Sequence, residues 1–402
     1  SRGRLLSASP LFNDRQNPSG SACRGEYSAE KWKTAAEAAK YFLENTRGYA
    51  LHRSTDPERY GDYEDLFLRR YSPEIILAYQ QDQFAVRLER NCLPGQLFNY
   101  AFGVLNNFPT LNTVAEYEVV KLDDQGNVVS THLLGLDKLL KLHETNGTDP
   151  ESGFDPQNPY VNRDPRFYRD ITYHGSMFKG KWINTATGAD AINAANSTST
   201  GYFTRKYFDG YYTKGMSGNW NFDAPLIRLA TIYLVYAEAV TRSKGATPEV
   251  YNLMNELRAR SFMAPIPPAA QTNKELLLDY ILRERRVELY HEKSRFFSTR
   301  FYLEPTSPEE LTKDAQWSSI QGSNDQKAQL YFDKYGAYPK TQHRICGMRP
   351  VEDPNGKISV GGKTYRMERF WKEDRVFLEK HYLFPIPTEE LQRANIPQNP
   401  NW

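Results

Sequence analysis

The chain has 402 residues, with 51 lysines and arginines against 49 aspartates and glutamates, and a formal net charge of +2 at pH 7. This length exceeds the usual size of a single hydrophobic core, which predicts two or three packing units or one extended helical array. The balanced charge lacks the basic excess of nucleic-acid binders, so nucleic acid is not an expected partner. No apolar run approaches the roughly 18 residues of a membrane-spanning helix.

The first half of the chain opens with helical signals. Ser28 precedes apolar residues at helical spacing, which predicts a helix that ends near Gly48. A shorter helix is predicted over residues 64–70. Residues 74–79 carry a β-branched pair after a proline and are predicted to be extended.

Loop signals dominate the middle of the chain. Residues 91–111 are rich in Asn, Phe, Gly and Pro, whereas residues 117–122 and 128–133 flank a turn sequence and predict a small hairpin. Residues 145–223 form the least regular stretch and are too long for a simple connection. Long loops of this kind usually carry function.

Helices return after this stretch. Asp223 and Pro225 predict the cap and first turn of a helix over residues 225–242, and further helices are predicted from Pro248 and over residues 274–302. Consecutive helices with short connections predict a mainly α fold, a tetratricopeptide-like superhelix of helix pairs with a large loop-rich region and small β-hairpins.

The C-terminal part is predicted to be irregular, with two exceptions. Asn-Gly and Gly-Gly dipeptides punctuate residues 357–360 and 363–367, which predicts a hairpin. Thr388, followed by two glutamates, predicts the start of a short helix.

Charged residues occur on the apolar faces of the two long predicted helices, where they must pair or reach solvent. Glutamates at 284, 288 and 292 are four residues apart and can meet arginines of neighbouring helices. We therefore predict a structural ion-pair network of Arg228, Glu238, Arg258, Arg260, Glu284, Arg285 and Glu288.

No catalytic or metal-binding pattern is convincing. Glu288 and His291 have the spacing of a di-iron ligand pair, but the chain lacks the second copy and the further glutamates that such sites need. The sequence from Gly361 to Thr364 fits a hairpin turn better than a phosphate-binding loop. The three cysteines are far apart and predict neither a zinc site nor a disulfide. We expect no enzyme activity, no cofactor and no metal.

Aromatic residues are the better functional signal, at 13% of the chain with 27 tyrosines. Tyrosine and tryptophan combine an apolar face with a polar tip, which suits stacking on sugars, although packing within a core is the alternative for each ring. The candidates in the irregular stretch are Phe154, Tyr160, Tyr173, Trp182, Tyr211, Tyr212 and Trp220, with Tyr202 close by in sequence.

Several segments occur in the order typical of one known family. They are 7–13, Trp32 with its alanine-rich helix, 109–117, 164–166, 224–230, 236–239, 257–260, 283–289, 382–387 and 398–402. Through them the chain resembles the SusD/RagB family of glycan-binding outer-membrane lipoproteins. Relatives often have glycine where this chain has Lys293.

The resemblance implies a single SusD-like unit, residues 1–402, that lacks its N-terminal part together with the lipid anchor. The helical scaffold would comprise mainly 1–80 and 224–302, the ligand-facing region about 90–223, and the irregular C-terminal region 303–402. The implied function is non-enzymatic capture of glycans at the outer membrane and their delivery to a TonB-dependent transporter of the SusC type. A peptide- or protein-binding adaptor on the same scaffold is the alternative.

Overall fold

The computed structural model describes residues 1–13, 27–58, 61–81, 91–97, 107–195, 197–208, 222–302, 319–321, 344–374 and 379–399. The predicted mainly α class is confirmed. The α-helices are α1 Arg2–Ala8, α2 Ala29–Asn45, α3 Asp62–Leu66, α4 Leu111–Val114, α5 Gly135–Thr145, α6 Pro165–Asp170, α7 Leu229–Lys244, α8 Pro248–Arg260, α9 Lys274–Glu288, α10 Ser294–Phe301 and α11 Thr388–Ala394. No helix in these ranges is both long and apolar enough to span a bilayer.

The strands form small antiparallel sheets. They are β1 Ile75–Gln81, β2 Val119–Leu122, β3 Val128–His132, β4 Ile171–Tyr173, β5 Met177–Phe178, β6 Lys181–Trp182, β7 Tyr202–Thr204, β8 Phe222–Arg228, β9 Arg344–Glu352, β10 Ile358–Val360 and β11 Lys363–Asp374. The pairs are β1 with β8, β2 with β3, β4 with β7 and β5 with β6, and β11 lies between β9 and β10. Both predicted hairpins, β2–β3 and β10–β11, are confirmed.

The main core lies between the helices. Trp32, Ala35 and Ala39 form the buried face of α2, and α7 packs against that face with most of its length buried. The small alanines let the two helices approach closely, so a helix with an otherwise charged surface contributes to the core.

The segment before α7 is a strand, and the prediction of a helix from Pro225 is wrong. Residues Phe222–Arg228 pair with β1, and Pro225 lies opposite Ala78. Proline lacks an N–H, which is tolerated in a two-stranded sheet because one edge of each strand needs no partner. The helix begins only at Leu229, with Arg228 at its N-cap position.

The predicted helix over residues 274–302 is also wrong in its length. Helix α9 ends at Glu288, and α10 begins at Ser294 after His291 and Lys293 adopt φ values of 57° and 61°. Left-handed residues cannot continue a right-handed helix, so the chain turns between the two helices.

Replacing Lys293 with glycine is expected to raise the free energy of unfolding by about 1 kcal/mol, because glycine adopts positive φ without the steric cost that lysine incurs. Lys293 is exposed, so little packing is lost. Urea denaturation measures the difference, with Lys293→Ala as the control. A glycine variant no more stable than the alanine variant would contradict the assigned backbone conformation.

The stretch predicted to be irregular is well packed in its described parts. Tyr117, Phe167 and Tyr202 share a core cluster with Met348 of β9 and Met367 of β11. A smaller cluster, which we call the aromatic core, comprises Tyr63, Leu66, Phe67, Cys92, Leu93, Phe178, Ile183, Phe203, Tyr207 and Phe208. Short strands and turns are therefore held in place by apolar side chains as much as by backbone hydrogen bonds.

Candidate functional site

Among the predicted ligand-binding aromatic residues that the structure describes, Trp182 is the most exposed. It lies on a short hairpin whose two strands have two residues each. Met177 pairs with Trp182 across β5 and β6, and the two side chains are 50% and 56% exposed. The turn residues Lys179 and Gly180 have φ values of 51° and 73°, as a tight two-residue turn requires. The buried Phe178 anchors the hairpin in the aromatic core.

Two hydrogen bonds fix this hairpin to a neighbouring loop, and a third holds that loop in place. The side-chain amide of Gln96 donates to the carbonyl of Trp182 (3.2 Å), and the Lys181 ammonium donates to the carbonyl of Gln96 (2.9 Å). The backbone N–H of Gln96 donates to the buried carboxylate of Asp190 at 3.0 Å. Trp182 is therefore an exposed ring on a backbone that is held from both sides.

Three other aromatic residues singled out from the sequence are in the core. Phe154, Tyr160 and Tyr202 are 2%, 4% and 1% exposed, and Tyr173 is only partly buried. The rings of Tyr160 and Tyr173 pack with centroids 4.2 Å apart. The prediction of ligand contact does not fit Phe154 and Tyr160, because their faces are covered by other side chains.

The remaining candidates, Tyr211, Tyr212 and Trp220, lie outside the described residues.

A cluster of buried ion pairs is centred on the last turns of α9. Glu288 is fully buried and accepts hydrogen bonds from Arg228 (2.7 Å), Arg166 (3.0 Å) and Arg260. Glu284, one turn earlier, pairs with Arg166 and with Arg258. Two glutamates therefore join four arginines from three different segments of the chain.

Further acids complete this cluster, and sequence reasoning missed two of them. Glu74 accepts from Arg228 (2.6 Å) and Arg260 (2.5 Å), and Glu118 accepts from Arg258 at 2.9 Å. Neither glutamate lies in a helical pattern that would mark it as buried. The missed Arg166 follows Asp164, whose carboxylate caps α6 and also pairs with the guanidinium at 2.8 Å.

A second cluster links α7 to α9. Buried Glu238 accepts hydrogen bonds from Arg285 (2.5 Å), Arg242 (2.8 Å) and the hydroxyl of Tyr302 (2.8 Å). All seven charged residues proposed for the network thus form ion pairs. These charged side chains have little or no contact with solvent. Their ion pairs therefore connect secondary-structure elements and do not line a solvent-accessible site.

The arginines keep the buried glutamates ionised. Burial alone would raise the pKa of Glu74, but Arg260 and Arg228 outweigh burial and lower that pKa to about 2. Burial opposes ionisation of Glu118 in the same way, and Arg258 lowers its pKa to about 2.

The pKa of Asp170, at the end of α6, is raised and not lowered. The hydroxyls of Tyr117 (2.7 Å) and Tyr63 (3.1 Å) donate to its carboxylate. Burial nevertheless raises the pKa of Asp170 to about 7, despite the opposing effect of Lys206. Among the described residues, no lysine or arginine contacts this carboxylate as closely as arginines contact Glu74.

The geometry does not support the metal and phosphate interpretations. His291 lies beyond the end of α9 with positive φ, so it does not share a helix face with Glu288. No group of three or more His, Cys, Asp or Glu in the described ranges is arranged to hold a metal ion. Gly361 and Gly362 form the tip of the β10–β11 hairpin.

Comparison with known proteins identifies the family of this chain. The sequence model of the SusD family matches residues 84–402. A search of curated proteins gives no match.

Solved structures with the same fold include two from Bacteroides fragilis. One is a SusD-like protein (TM-score 0.61, 19% identity, covering 99% of this chain and 68% of that one), and the other is a SusD-like carbohydrate binding protein (TM-score 0.57, 19% identity, 97% and 68%). A SusD superfamily protein from Bacteroides vulgatus has a TM-score of 0.51 at 15% identity and covers 93% of this chain and 59% of that one. With a family match over most of its length, the chain belongs to the SusD family.

Proposed function

We propose that this protein binds glycans without cleaving them, at the cell surface, and delivers them to a SusC-like TonB-dependent transporter in the outer membrane. The observation that carries the proposal is the exposed ring of Trp182 on a hairpin held by Gln96. A flat ring can stack on the apolar face of a sugar unit, while neighbouring amides and ammonium groups bind its hydroxyls.

A rigid platform matters because binding costs the freedom of every group that becomes ordered. The bonds from Gln96 and Lys181 hold the backbone of the hairpin before a ligand arrives. The SusD-like structure from Bacteroides fragilis described as carbohydrate binding shares the fold, which also favours a glycan ligand.

We propose likewise that the protein has no catalytic activity and is held at the outer membrane by a lipid anchor. Glycoside hydrolysis needs two carboxylates that flank a sugar. The buried carboxylates Glu284, Glu288 and Glu238 are each occupied by arginines. Incubation with polysaccharides should release no reducing sugar from pH 5 to 9, the range in which the protein is expected to stay folded.

Replacing Trp182 with alanine is expected to weaken glycan binding about tenfold, because the variant loses its stacking surface. Affinity electrophoresis in gels containing amylopectin, xylan, galactomannan or pectin measures the retardation. Tyr41→Ala, which removes a 71% exposed ring from helix α2, is the matched control. If no polysaccharide retards the unmodified protein, glycan binding is contradicted; if the Trp182 variant is retarded normally, the platform lies elsewhere.

The alternative, a peptide- or protein-binding adaptor, is favoured by one observation. A pocket between α1, α7 and α10 is lined by Leu6, Val235, Phe297 and Phe301. Amide hydrogen exchange separates the two functions: a glycan should protect the hairpin over residues 176–183, whereas a peptide ligand should protect α10.

A further inference from the structure

Met177 lies directly opposite Trp182 on the β5–β6 hairpin. The backbone N–H of Ile183 donates to the carbonyl of Ser176 at 2.9 Å, so the hydrogen-bonded positions flank the pair formed by Met177 and Trp182. Side chains come closest in pairs of this kind, with Cβ atoms about 4.5–5.5 Å apart on one face of the ribbon. The thioether of Met177 therefore lies beside the indole of Trp182.

The other pair of the hairpin, Phe178 with Lys181, points to the opposite face, because successive strand residues alternate between the two faces. Phe178 is buried in the aromatic core, and the Lys181 ammonium reaches the carbonyl of Gln96. Met177 and Trp182 thus share the face directed away from the aromatic core. Together they form one exposed apolar strip.

Met177 differs in its exposure from the other methionines that the structure describes. It is half exposed, whereas the others are at most 5% exposed; they are Met254, Met263, Met348 and Met367. Met216 lies outside the described residues. Oxidation of a thioether requires access to the dissolved oxidant, so among the described methionines Met177 is the one open to it.

We propose that Met177 is a second ligand contact beside Trp182 and that oxidation of its sulfur weakens ligand binding. This inference rests on the proposed glycan-binding function and deepens it. A thioether is apolar and adaptable, so it extends the surface on which the apolar face of a sugar unit packs. A sulfoxide at the same position places a polar oxygen in that surface.

The oxidation requires a peroxide. A lone pair of the Met177 sulfur attacks one oxygen of hydrogen peroxide, the O–O bond breaks, and the departing hydroxide takes the proton of the transferred oxygen. The sulfur is thereby oxidised by two electrons to a sulfoxide, and the peroxide is reduced to water. Methionine sulfoxide reductases reverse this step, so the change is reversible.

Affinity electrophoresis before and after treatment with dilute hydrogen peroxide tests this inference. Peroxide should add one oxygen to the peptide that contains Met177, measured by mass spectrometry of a digest. It should also weaken retardation about threefold in the gel of amylopectin, xylan, galactomannan or pectin that retards the untreated protein. Methionine sulfoxide reductases with dithiothreitol should restore the retardation.

Two variants of Met177 are the matched controls. Met177→Leu keeps an apolar side chain of similar volume without sulfur, so its retardation should match that of the unmodified protein and should not respond to peroxide. Met177→Gln places a polar group at the same position and should weaken retardation about threefold without peroxide.

The outcomes separate this inference from the proposed function. Equal retardation of the protein before and after oxidation of Met177 overturns the inference and leaves glycan binding intact. A Met177→Leu variant that loses retardation in peroxide also overturns it, because the sensitive residue then lies elsewhere. Absence of the added oxygen at Met177 contradicts its exposure. If none of the four gels retards the untreated protein, the proposed function fails and the contact at Met177 fails with it.

Discussion

The free energy of unfolding is expected to fall steeply as the pH drops from 6.5 to 2, and the protein should unfold near pH 4. Burial lowers the pKa of His143, His174 and His291 to about 4 each. Because the unfolded chain binds these protons near its ordinary histidine pKa of about 6.5, stability is lost as the pH falls from that value through the folded pKa. Asp170 opposes the loss, since its raised pKa makes the folded protein take up a proton between about pH 7 and 4.

The balance favours unfolding in acid. On unfolding, the three histidines take up protons and Asp170 releases one, so the net uptake is about two protons. Each proton changes the free energy of unfolding by about 1.4 kcal/mol per pH unit. Below pH 4.5 the lowered pKa values of Glu74 and Glu118, both about 2, add a further loss. Against a typical stability of about 5–15 kcal/mol, this change is large enough to unfold the protein.

Urea titrations at several pH values measure this slope. His143→Leu is the matched variant, because neither ring nitrogen of His143 has a hydrogen-bond partner among the described residues. It should reduce the slope between pH 6 and 4.5 by about 1.4 kcal/mol per pH unit, the contribution of one proton. A stability independent of pH over this range would show that the histidines are not buried as described.

Replacing Glu288 with alanine is expected to lower the free energy of unfolding by about 3–5 kcal/mol, a large part of the total stability. Arg228, Arg260 and Arg166 all donate to this carboxylate and are almost completely buried. Its removal leaves buried positive charges without compensation, which costs more than the lost hydrogen bonds themselves.

Glu275→Ala is the control for this variant, because Glu275 is an exposed glutamate on the same helix. Its effect should stay below about 1 kcal/mol, the usual size of a charge effect in the first helical turn. Glu288→Gln keeps the shape and removes only the charge, so it should lie between the two. Equal stabilities of the Glu275 and Glu288 variants, measured by urea denaturation, would contradict a structural role for the cluster.

Locally encoded elements could be predicted from the sequence, and elements that depend on distant partners could not. The hairpin β2–β3 and the alanine-rich face of α2 follow from patterns within a few residues. Strand β8 depends on pairing with β1, about 150 residues earlier, and the local Asp-x-Pro signal indicated a helix instead. The break after α9 was hidden because the positive-φ residues there are not glycines.

In the candidate site, too, features encoded locally could be predicted and features that depend on distant residues could not. Helical spacing placed Glu284 and Glu288 beside arginines, but their further partner Arg166 comes from a distant segment. Aromatic composition indicated surface rings without distinguishing the exposed Trp182 from the buried Tyr160.

The buried ion pairs also affect how the chain folds. Arg260 meets Glu74 across 186 residues of sequence, and Arg166 meets Glu288 across 122. Such contacts form only after distant parts of the chain have come together, and a high proportion of long-range contacts slows folding. Until then each charge remains in water, so the network assembles late and in one step with the packing around it. A fragment without α9 would lose these partners and is not expected to fold alone.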